Sequence, residues 1–324
     1  MTPSMATAQP AGPLRRRATS TRSFGSGKRE NHDASGFYGR FQTPEISQDA
    51  DVRRPAVVDR LFCGDAAEMT DAQVADRSVA LVVTSPPYFA GKEYERDLES
   101  GAIPSSYMEY LEKLYQVLAV AVDKLEPGGR VAINVANLGR KPYRSLSADV
   151  ISILQDDLGL LMRGEIIWRK AKGAGGSCAW GSFRSPANPV LRDVTERVIV
   201  ASKGRFDRAL PRRRRAELGL PHEATIETDE FLEATLDVWE IPPESATRVG
   251  HPAPFPVDLP RRLIELYTYR GDLVLDPFIG SGTTAVAALA TDRHYIGFDT
   301  DPAYIALAEE RISRFRATFE ENDL

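Results

Sequence analysis

The amino-acid sequence predicts an α/β protein with a doubly wound, mostly parallel sheet. Two observations lead to this prediction. From residue 57 onward, short apolar segments alternate with longer segments that have helical periodicity. The apolar segment VALVV at residues 79–83 is rich in β-branched residues and has no polar position. Such a segment is typical of a strand that is buried on both faces of a parallel sheet.

The predicted elements follow one another along the chain. Apolar segments predict strands at residues 57–63, 79–83, 130–135, 161–168, 196–202, 273–275 and 295–298. Apolar side chains at helical spacing predict helices at residues 107–124, 147–158, 259–268, 283–290 and 302–319. Residues 71–78 are polar, and we expect them to be partly helical. The segment Pro127-Gly128-Gly129 marks the end of the first long helix.

Composition excludes several classes of protein. The chain has 324 residues, of which 42% are hydrophobic and 27% are charged, so it can bury a core. It has no apolar run of roughly 18 residues, so we expect no membrane span. Its 2 cysteines exclude a disulfide scaffold, lack the spacing of a zinc site and favour a cytoplasmic location.

Two regions interrupt this composition. Residues 1–55 are rich in Ser, Thr, Gly, Pro and Arg and show no periodicity, which predicts a disordered tail. Residues 203–250 break the alternation of strands and helices and predict an insertion.

The net charge is −5, yet residues 163–215 contain 14 Lys and Arg against 4 Asp and Glu. This basic stretch is either a solvated surface or a binding site for a polyanion.

Residues 276–284, with the sequence DPFIGSGTT, follow a predicted strand and precede a predicted helix. Gly280 and Gly282 allow the backbone to approach a ligand closely, and the helix start offers unpaired amides. Thr283 and Thr284 are candidate caps of that helix. No Lys follows the second glycine, so the segment is not a phosphate-binding P-loop. It predicts a cofactor loop.

Asp299 ends the next predicted strand, about 20 residues after the glycine loop, where an acid accepts hydrogen bonds from a ribose. A helix cap is the alternative role. Asp301 followed by Pro302 is the better cap, which leaves Asp299 for the ribose.

Residues 84–88, TSPPY, follow the strand VALVV. Pro86 and Pro87 fix the backbone of a rigid turn at the carboxyl edge of the sheet, where open α/β sheets bind ligands. The Ser85 hydroxyl and the Pro86 carbonyl can accept hydrogen bonds from an exocyclic amine. The ring of Tyr88 can stack on the base that carries this amine.

Together, the segments at residues 84–88 and 276–284 resemble the amino-group DNA methyltransferases that use S-adenosylmethionine. The catalytic segment precedes the cofactor segment, which is the order of the β class, and the resemblance covers residues 57–319. It implies a class I methyltransferase-like, Rossmann-like fold. It also implies a catalytic half at residues 56–202, a target-recognition region at 203–250 and a cofactor-binding half at 251–324.

The resemblance implies which residues line the cofactor. Asp65, in the segment FCGD, lies near the adenine, and Phe255, in the segment HPAPFP, lies near the methionine end. The implied cofactor residues are Asp65, Thr84, Phe255, Asp276, Pro277, Phe278, Gly280, Ser281, Gly282, Thr283, Thr284 and Asp299. The implied catalytic residues are Ser85, Pro86, Pro87 and Tyr88, and no metal is expected.

The tetrapeptide Ser-Pro-Pro-Tyr is similar to that of the N4-cytosine enzymes, whereas N6-adenine enzymes more often begin it with Asp or Asn. A C5-cytosine mechanism needs a Pro-Cys nucleophile, but Cys63 follows Phe and Cys178 follows Ser. We expect Cys63 to be buried. The alternatives are an N6-adenine enzyme of the same class and a catalytically silent DNA-binding protein.

The resemblance turns the basic stretch into a candidate DNA-binding surface. The candidate residues are Trp168, Arg169, Lys170, Lys172, Arg184, Arg212, Arg213, Arg214 and Arg215. Core packing is the alternative for Trp168. The expected partners are double-stranded DNA and a restriction endonuclease of a restriction-modification pair. The sequence leaves the recognition site open, as well as the choice between monomer and homodimer.

Overall fold

A computed structural model describes residues 46–87, 107–137, 143–170, 181–191, 194–244 and 255–322, and two short strands before them. The chain divides into two compact units, residues 1–44 and 45–324. In the first unit the described residues form two antiparallel strands, β1 (Lys28–Arg29) and β2 (His32–Asp33). Most of the predicted disordered tail lies outside the described residues.

Residues 46–55 were also predicted to be disordered, and this end of the prediction is wrong. The amide of Ser47 donates a hydrogen bond to the carbonyl of Gly204 at 2.7 Å. The amide of Arg53 donates to the carbonyl of Arg77 at 3.0 Å. These backbone contacts attach the segment to the second unit, although its composition carries no helix or strand pattern.

The second unit contains an eight-stranded sheet, and the predicted doubly wound, mostly parallel architecture is confirmed. Its strands are β3 (Arg60–Cys63), β4 (Val79–Thr84), β5 (Leu125–Val135), β6 (Leu161–Arg169), β7 (Thr195–Ser202), β8 (Val238–Glu240), β9 (Leu273–Asp276) and β10 (His294–Asp299). Their order is β3-β10-β9-β4-β5-β7-β6-β8. Strand β7 pairs antiparallel with β5 and β6, and the other neighbouring strands pair parallel.

Helices connect these strands and cover both faces. They are α1 (Tyr107–Lys124), α2 (Leu146–Ser152), α3 (Arg212–Glu217), α4 (Thr228–Ala234), α5 (Asp258–Tyr267), α6 (Thr283–Ala290) and α7 (Pro302–Asn322). Helix α2 continues as a π-helical turn at Ile153–Asp157. Residues 71–78 were predicted to be partly helical, and this prediction is wrong, because they form turns. The short 3₁₀ helix Ala66–Glu68 precedes them. Within the described residues no helix is long and apolar enough to cross a membrane.

The core has two layers, one on each face of the sheet, and strand β4 contributes to both. Its residues Val79 and Val82 pack with α1 and α2, whereas Leu81 and Val83 pack with α5 and α6. All residues of β4 are buried. This placement explains why the strand is apolar throughout, since neither of its faces meets water.

The amino edge of the sheet is held by a buried cluster of charges, which we call the arginine cluster: Arg208, Arg215, Glu126 and Asp272. Arg215 is 1% exposed, and its guanidinium contacts Glu126 at 3.0 Å and Asp272 at 2.9 Å. Arg208 pairs with the same two carboxylates. Burial opposes the charge of Arg208, but Asp272 and Glu126 together raise its pKa.

The structure corrects the prediction that Arg215 contacts DNA, and it places part of the predicted insertion in the sheet. Arg215 does not bind DNA, because its side chain is buried and paired with carboxylates at the amino edge. The remainder of the predicted insertion includes β8, which pairs with β6 inside the sheet. The assignment of residues 203–250 to target recognition stays a prediction.

Replacement of Arg215 by Ala should lower the free energy of unfolding by about 3–5 kcal/mol, because it leaves two buried carboxylates without this partner. Arg213 lies two positions earlier and its side chain is 93% exposed, so Arg213→Ala is a matched control with an expected change below about 0.5 kcal/mol. Urea denaturation measures both variants. Equal unfolding curves for the two would contradict the structural role of Arg215.

Candidate active site

The carboxyl ends of the parallel strands meet at one edge of the sheet, and we call this edge the rim. Thr84 ends β4, Asp276 ends β9 and Asp299 ends β10. Strands β4, β9 and β10 are neighbours. The predicted catalytic turn, which begins at Thr84, and the predicted glycine loop of residues 276–284 therefore leave the sheet side by side, where open α/β sheets bind ligands.

Asp276 joins the two segments directly. Its Oδ1 accepts a hydrogen bond from the Thr84 hydroxyl at 2.6 Å and another from the Phe278 amide at 3.0 Å. Its Oδ2 accepts a hydrogen bond from the Thr284 hydroxyl at 2.6 Å. The prediction that the two segments meet at one rim is thereby confirmed for Thr84 and residues 276–284.

Asp276 and Asp299, two carboxylates of the rim, have raised pKa values. Burial raises the pKa of Asp276 to about 6, against the hydrogen bonds from Thr284 and Thr84 that favour its charged form. Burial also raises the pKa of Asp299. Each carboxylate is therefore unfavourably placed for its own charge, because burial removes it from water.

The glycine loop has a backbone that only small residues fit. Gly282 has a φ of +82° and is the N-cap of α6. A Cβ atom at this position would lie 2.9 Å from the Cβ of Ala308 on α7. Gly280 also has positive φ, at +49°. The backbone of the loop therefore lies close to helix α7 at Gly282, and the start of α6 has no side-chain cap.

The two threonines at the start of α6 do not cap it, contrary to the prediction. Thr284 donates to Asp276, and Thr283 accepts a hydrogen bond from Arg311 at 3.2 Å. Arg311, on α7, also donates to the carbonyl of Ser281 at 2.7 Å and to its hydroxyl at 2.8 Å. Sequence reasoning missed Arg311, because nothing in helix α7 marks the side chain that faces the loop.

Asp299 holds the glycine loop against β10. Its Oδ2 accepts a hydrogen bond from the amide of Gly280 at 3.0 Å, and its Oδ1 accepts one from the amide of Asp301 at 2.9 Å. Asp301 in turn accepts a hydrogen bond from the amide of Ala303 at 2.7 Å, which confirms Asp301 as the cap of α7. Asp299 is partly exposed at the rim and is not the cap.

Asp65 follows β3, the neighbour of β10, and so lies at the same edge of the sheet. It accepts a hydrogen bond from the amide of Ala67 at 2.9 Å and pairs with Lys113 on α1. Phe62, just before it, stacks on Phe298 with ring centroids 5.0 Å apart. Cys63 is exposed and does not pack as the buried residue that the sequence predicted.

Three further predicted cofactor residues are partly or fully covered. Pro277 is buried, and Phe278 is partly buried against the α1 side of the core. Phe255 is partly buried against the other core layer, three residues before the start of α5. Their positions agree with a ligand at the rim, but a contact with a cofactor stays a prediction for each.

The catalytic turn places Ser85 beside β5. The Ser85 hydroxyl donates a hydrogen bond to the main-chain carbonyl of Asn134 at 3.1 Å. Ser85 is partly exposed, Pro86 is buried and Pro87 is exposed. Tyr88 lies outside the described residues. Sequence reasoning missed Asn134, although a polar residue near the end of the apolar strand β5 was a usable signal.

The predicted DNA-binding residues fall into separate places. Trp168 is 2% exposed, and its Nε1 donates to the carbonyl of Ile241 at 2.8 Å, so it is a core residue and the prediction is wrong. Arg169 lies at the rim end of β6 and pairs with Glu240 at 2.9 Å. Lys170 follows it and pairs with buried Glu196.

The other basic candidates differ in position. Arg184 is exposed in the segment that connects β6 to β7 at the rim. Lys172 lies outside the described residues. Arg212, Arg213 and Arg214 belong to α3, beside the arginine cluster at the opposite edge of the sheet. The sequence placed all of them in one basic stretch, but the sheet separates them.

Comparisons with known proteins agree with this geometry. The sequence profile of the DNA methylase family matches residues 79–310. The chain is 29% identical over 307 residues to the Type II methyltransferase M.BglI of Bacillus subtilis, with coverage of 78% of this chain and 85% of that protein. It is 30% identical over 286 residues to the Type II methyltransferase M.MjaI of Methanocaldococcus jannaschii, with coverage of 78% and 90%.

Solved structures share the fold. TTHA0409 of Thermus thermophilus, complexed with S-adenosyl-L-methionine, matches with a TM-score of 0.61 and 29% identity. The match covers 80% of this chain and 96% of that chain. The cytosine-N4-specific PvuII DNA methyltransferase matches in fold, with a TM-score of 0.58, 22% identity and coverage of 81% and 94%.

Replacement of Asp276 by Asn should change how stability depends on pH. The folded pKa of about 6 exceeds the ordinary value of 3.8, so this carboxyl contributes stability that is complete below pH 3.8 and is lost as the pH rises through 6. Asn does not titrate. The unfolding free energy of the variant relative to the wild type should therefore rise by up to about 3 kcal/mol between pH 4 and pH 7.5.

Urea denaturation at several pH values, without cofactor, measures this difference. Glu112→Gln, at an exposed position of α1, controls for the general loss of a carboxylate. A difference between Asp276→Asn and wild type that is constant across this pH range would contradict the raised pKa.

Proposed function

This chain belongs to the DNA methylase family, and we propose that it methylates the N4 amine of cytosine in double-stranded DNA. It is a DNA amino-methyltransferase that uses S-adenosylmethionine. The serine at position 85 supports cytosine as the target base, and the observation that supports methyl transfer at the rim is the hydrogen bond between Thr84 and Asp276. This bond fixes the turn that would hold the amine beside the loop that would hold the cofactor.

The residues of the rim fit this cofactor. S-adenosylmethionine supplies an electrophilic methyl group on a positively charged sulfur. Asp299 ends β10 and Asp65 follows the neighbouring strand β3, and we assign their carboxylates to the ribose and to the adenine side, respectively. The glycine loop at Gly280 and Gly282 provides close backbone approach.

Ser85 and Pro86 would orient the target amine. The Ser85 hydroxyl donates its hydrogen bond to the Asn134 carbonyl, so Oγ can act as an acceptor toward an N–H group. The Pro86 carbonyl is the second acceptor, and Pro87 stiffens the turn. Two acceptors would draw the amine toward tetrahedral geometry and orient its lone pair toward the methyl group, which would leave the sulfur as the new N–C bond forms and one amine proton passes to water. Tyr88 would stack on the base.

The amine of a paired cytosine lies inside the duplex, whereas Ser85 lies at the edge of the sheet. We therefore propose that the cytosine leaves the stack before transfer. Arg169, Arg184 and Lys172 are our candidates for phosphate contacts, since β6 ends at the rim and residues 170–194 begin there. Arg212, Arg213 and Arg214 are not included, because α3 lies at the opposite edge.

The biological setting follows from the relatives. M.BglI and M.MjaI carry the name Type II methyltransferase. We propose that this chain likewise protects a DNA sequence from a partner restriction endonuclease. The serine at position 85 supports cytosine over adenine through its similarity to the N4-cytosine tetrapeptide.

The modified base decides the proposal. The protein is incubated with unmethylated genomic DNA and labelled S-adenosylmethionine, and the digested nucleosides are separated by mass spectrometry. We expect label in N4-methyl-2′-deoxycytidine. Label in N6-methyl-2′-deoxyadenosine would overturn the cytosine assignment and keep the amine mechanism, and the absence of any labelled nucleoside would overturn catalysis on DNA.

Ser85→Ala should lower turnover by about a hundredfold, because the amine loses one positioned partner in the transition state. The affinity for S-adenosylmethionine, measured by calorimetry, should not change. Ser78→Ala is the matched control, since Ser78 precedes β4 and its hydroxyl donates to the carbonyl of Ala75 at 2.6 Å, away from the rim. Turnover of the Ser85 variant equal to that of the control would refute the catalytic role of Ser85.

A further inference from the structure

A chain of polar side chains runs along the rim behind Ser85. Asn134 Nδ2 approaches Ser85 Oγ at 3.5 Å and donates to Glu196 Oε2 at 2.6 Å. Glu196 also pairs with Lys170. Ser85 follows β4, Asn134 lies in β5, Glu196 lies in β7 and Lys170 follows β6. These strands are consecutive neighbours in the sheet, so the contacts cross four strands at one edge.

Two members of this chain are deeply buried. Asn134 is 3% exposed and the Glu196 side chain is 7% exposed. A buried carboxylate is costly unless charged or hydrogen-bonding groups compensate it. Asn134 and Lys170 provide this compensation from two sides. The Lys170 ammonium also lies 5.5 Å from the centre of the Trp168 ring, which holds it over the core.

Glu196 determines which way the Asn134 amide faces. A carboxylate accepts hydrogen bonds but cannot donate them, so it selects the NH₂ side of the amide. In this orientation Ser85 Oγ lies between a donor and an acceptor of one residue, the Nδ2 and the main-chain carbonyl of Asn134. A rotated amide would instead place Oδ1 against Ser85. Two oxygens would then compete for the single hydroxyl proton and displace Oγ.

We propose that Glu196 is a positioning residue that fixes the Asn134 amide and, through it, the acceptor lone pairs of Ser85. The proposal rests on the proposed function for the role of Ser85. Lys170 is the counter-ion of Glu196, which revises the prediction that it contacts DNA. Glu196 touches no substrate in this arrangement and acts through Asn134.

The test variant is Glu196→Gln. A Gln side chain has almost the same shape but can donate or accept, so it no longer selects one orientation of the Asn134 amide. We expect kcat for DNA methylation to fall by about tenfold, which corresponds to one lost positioning hydrogen bond. The KM and the calorimetric affinity for S-adenosylmethionine should stay within about twofold of wild type, because the glycine loop is untouched.

The matched control is Glu165→Gln. Glu165 lies in β6, beside β7, and pairs with Arg197 at 3.9 Å on the partly exposed surface. The variant Glu165→Gln removes one negative charge from the same pair of strands, β6 and β7, but from a residue that does not contact Asn134. We expect the wild-type kcat for this control.

A second readout does not depend on activity. The side-chain amide resonance of Asn134, assigned by its absence in Asn134→Ser, should be shifted by the charged hydrogen bond in the wild type. It should move in Glu196→Gln and not in Glu165→Gln. A kcat of Glu196→Gln within twofold of wild type, or equal losses of kcat, cofactor affinity and stability, would overturn the proposal, and so would an unmoved resonance. A wild-type protein without turnover would refute the proposed function, and the resonance would then decide the orientation of Asn134 by itself.

Discussion

The Asp276 carboxylate accepts hydrogen bonds from Thr84, Thr284 and the amide of Phe278, and the rest of the site depends on this interaction. Thr84 and Asp276 are 192 positions apart in the chain. The parallel pairing of β4 with β9 brings their ends together, and the carboxylate fixes the two loops to each other. Burial of this carboxylate disfavours its charged form and raises its pKa to about 6. The three hydrogen-bond donors offset this effect only in part.

The sheet separates two groups of charged residues that the sequence presents as one basic stretch. At the amino edge, Arg208 and Arg215 pair with Glu126 and Asp272 and stabilise the fold. At the rim, Arg169 ends β6 and pairs with Glu240, and Lys170 follows it and pairs with Glu196. Net charge along the sequence therefore overstates the charge that a DNA duplex can meet, because a buried guanidinium neutralised by two carboxylates adds little to the surface potential.

The hydroxyl of a serine is a versatile group, since it can donate once and accept twice. In this protein its environment restricts it. The Asn134 carbonyl takes the proton, and the Asn134 amide, held by Glu196, faces the oxygen. This arrangement makes Ser85 an acceptor toward the rim, which suits an amine and does not suit a carbonyl.

The sequence by itself determined the mostly parallel sheet, the bounds of α1 and α6 and the meeting of the catalytic turn with the glycine loop. Each of these depends on local signals, namely apolar periodicity, glycine and proline, and on the rule that parallel strands end at one edge. Only the tertiary structure showed that Trp168 and Arg215 are buried, that Thr284 binds Asp276 and does not cap α6, and that Glu196 contacts Asn134 and Arg311 contacts Ser281. Those facts depend on which distant side chains share a surface after folding, and neither periodicity nor composition specifies that for a single polar residue.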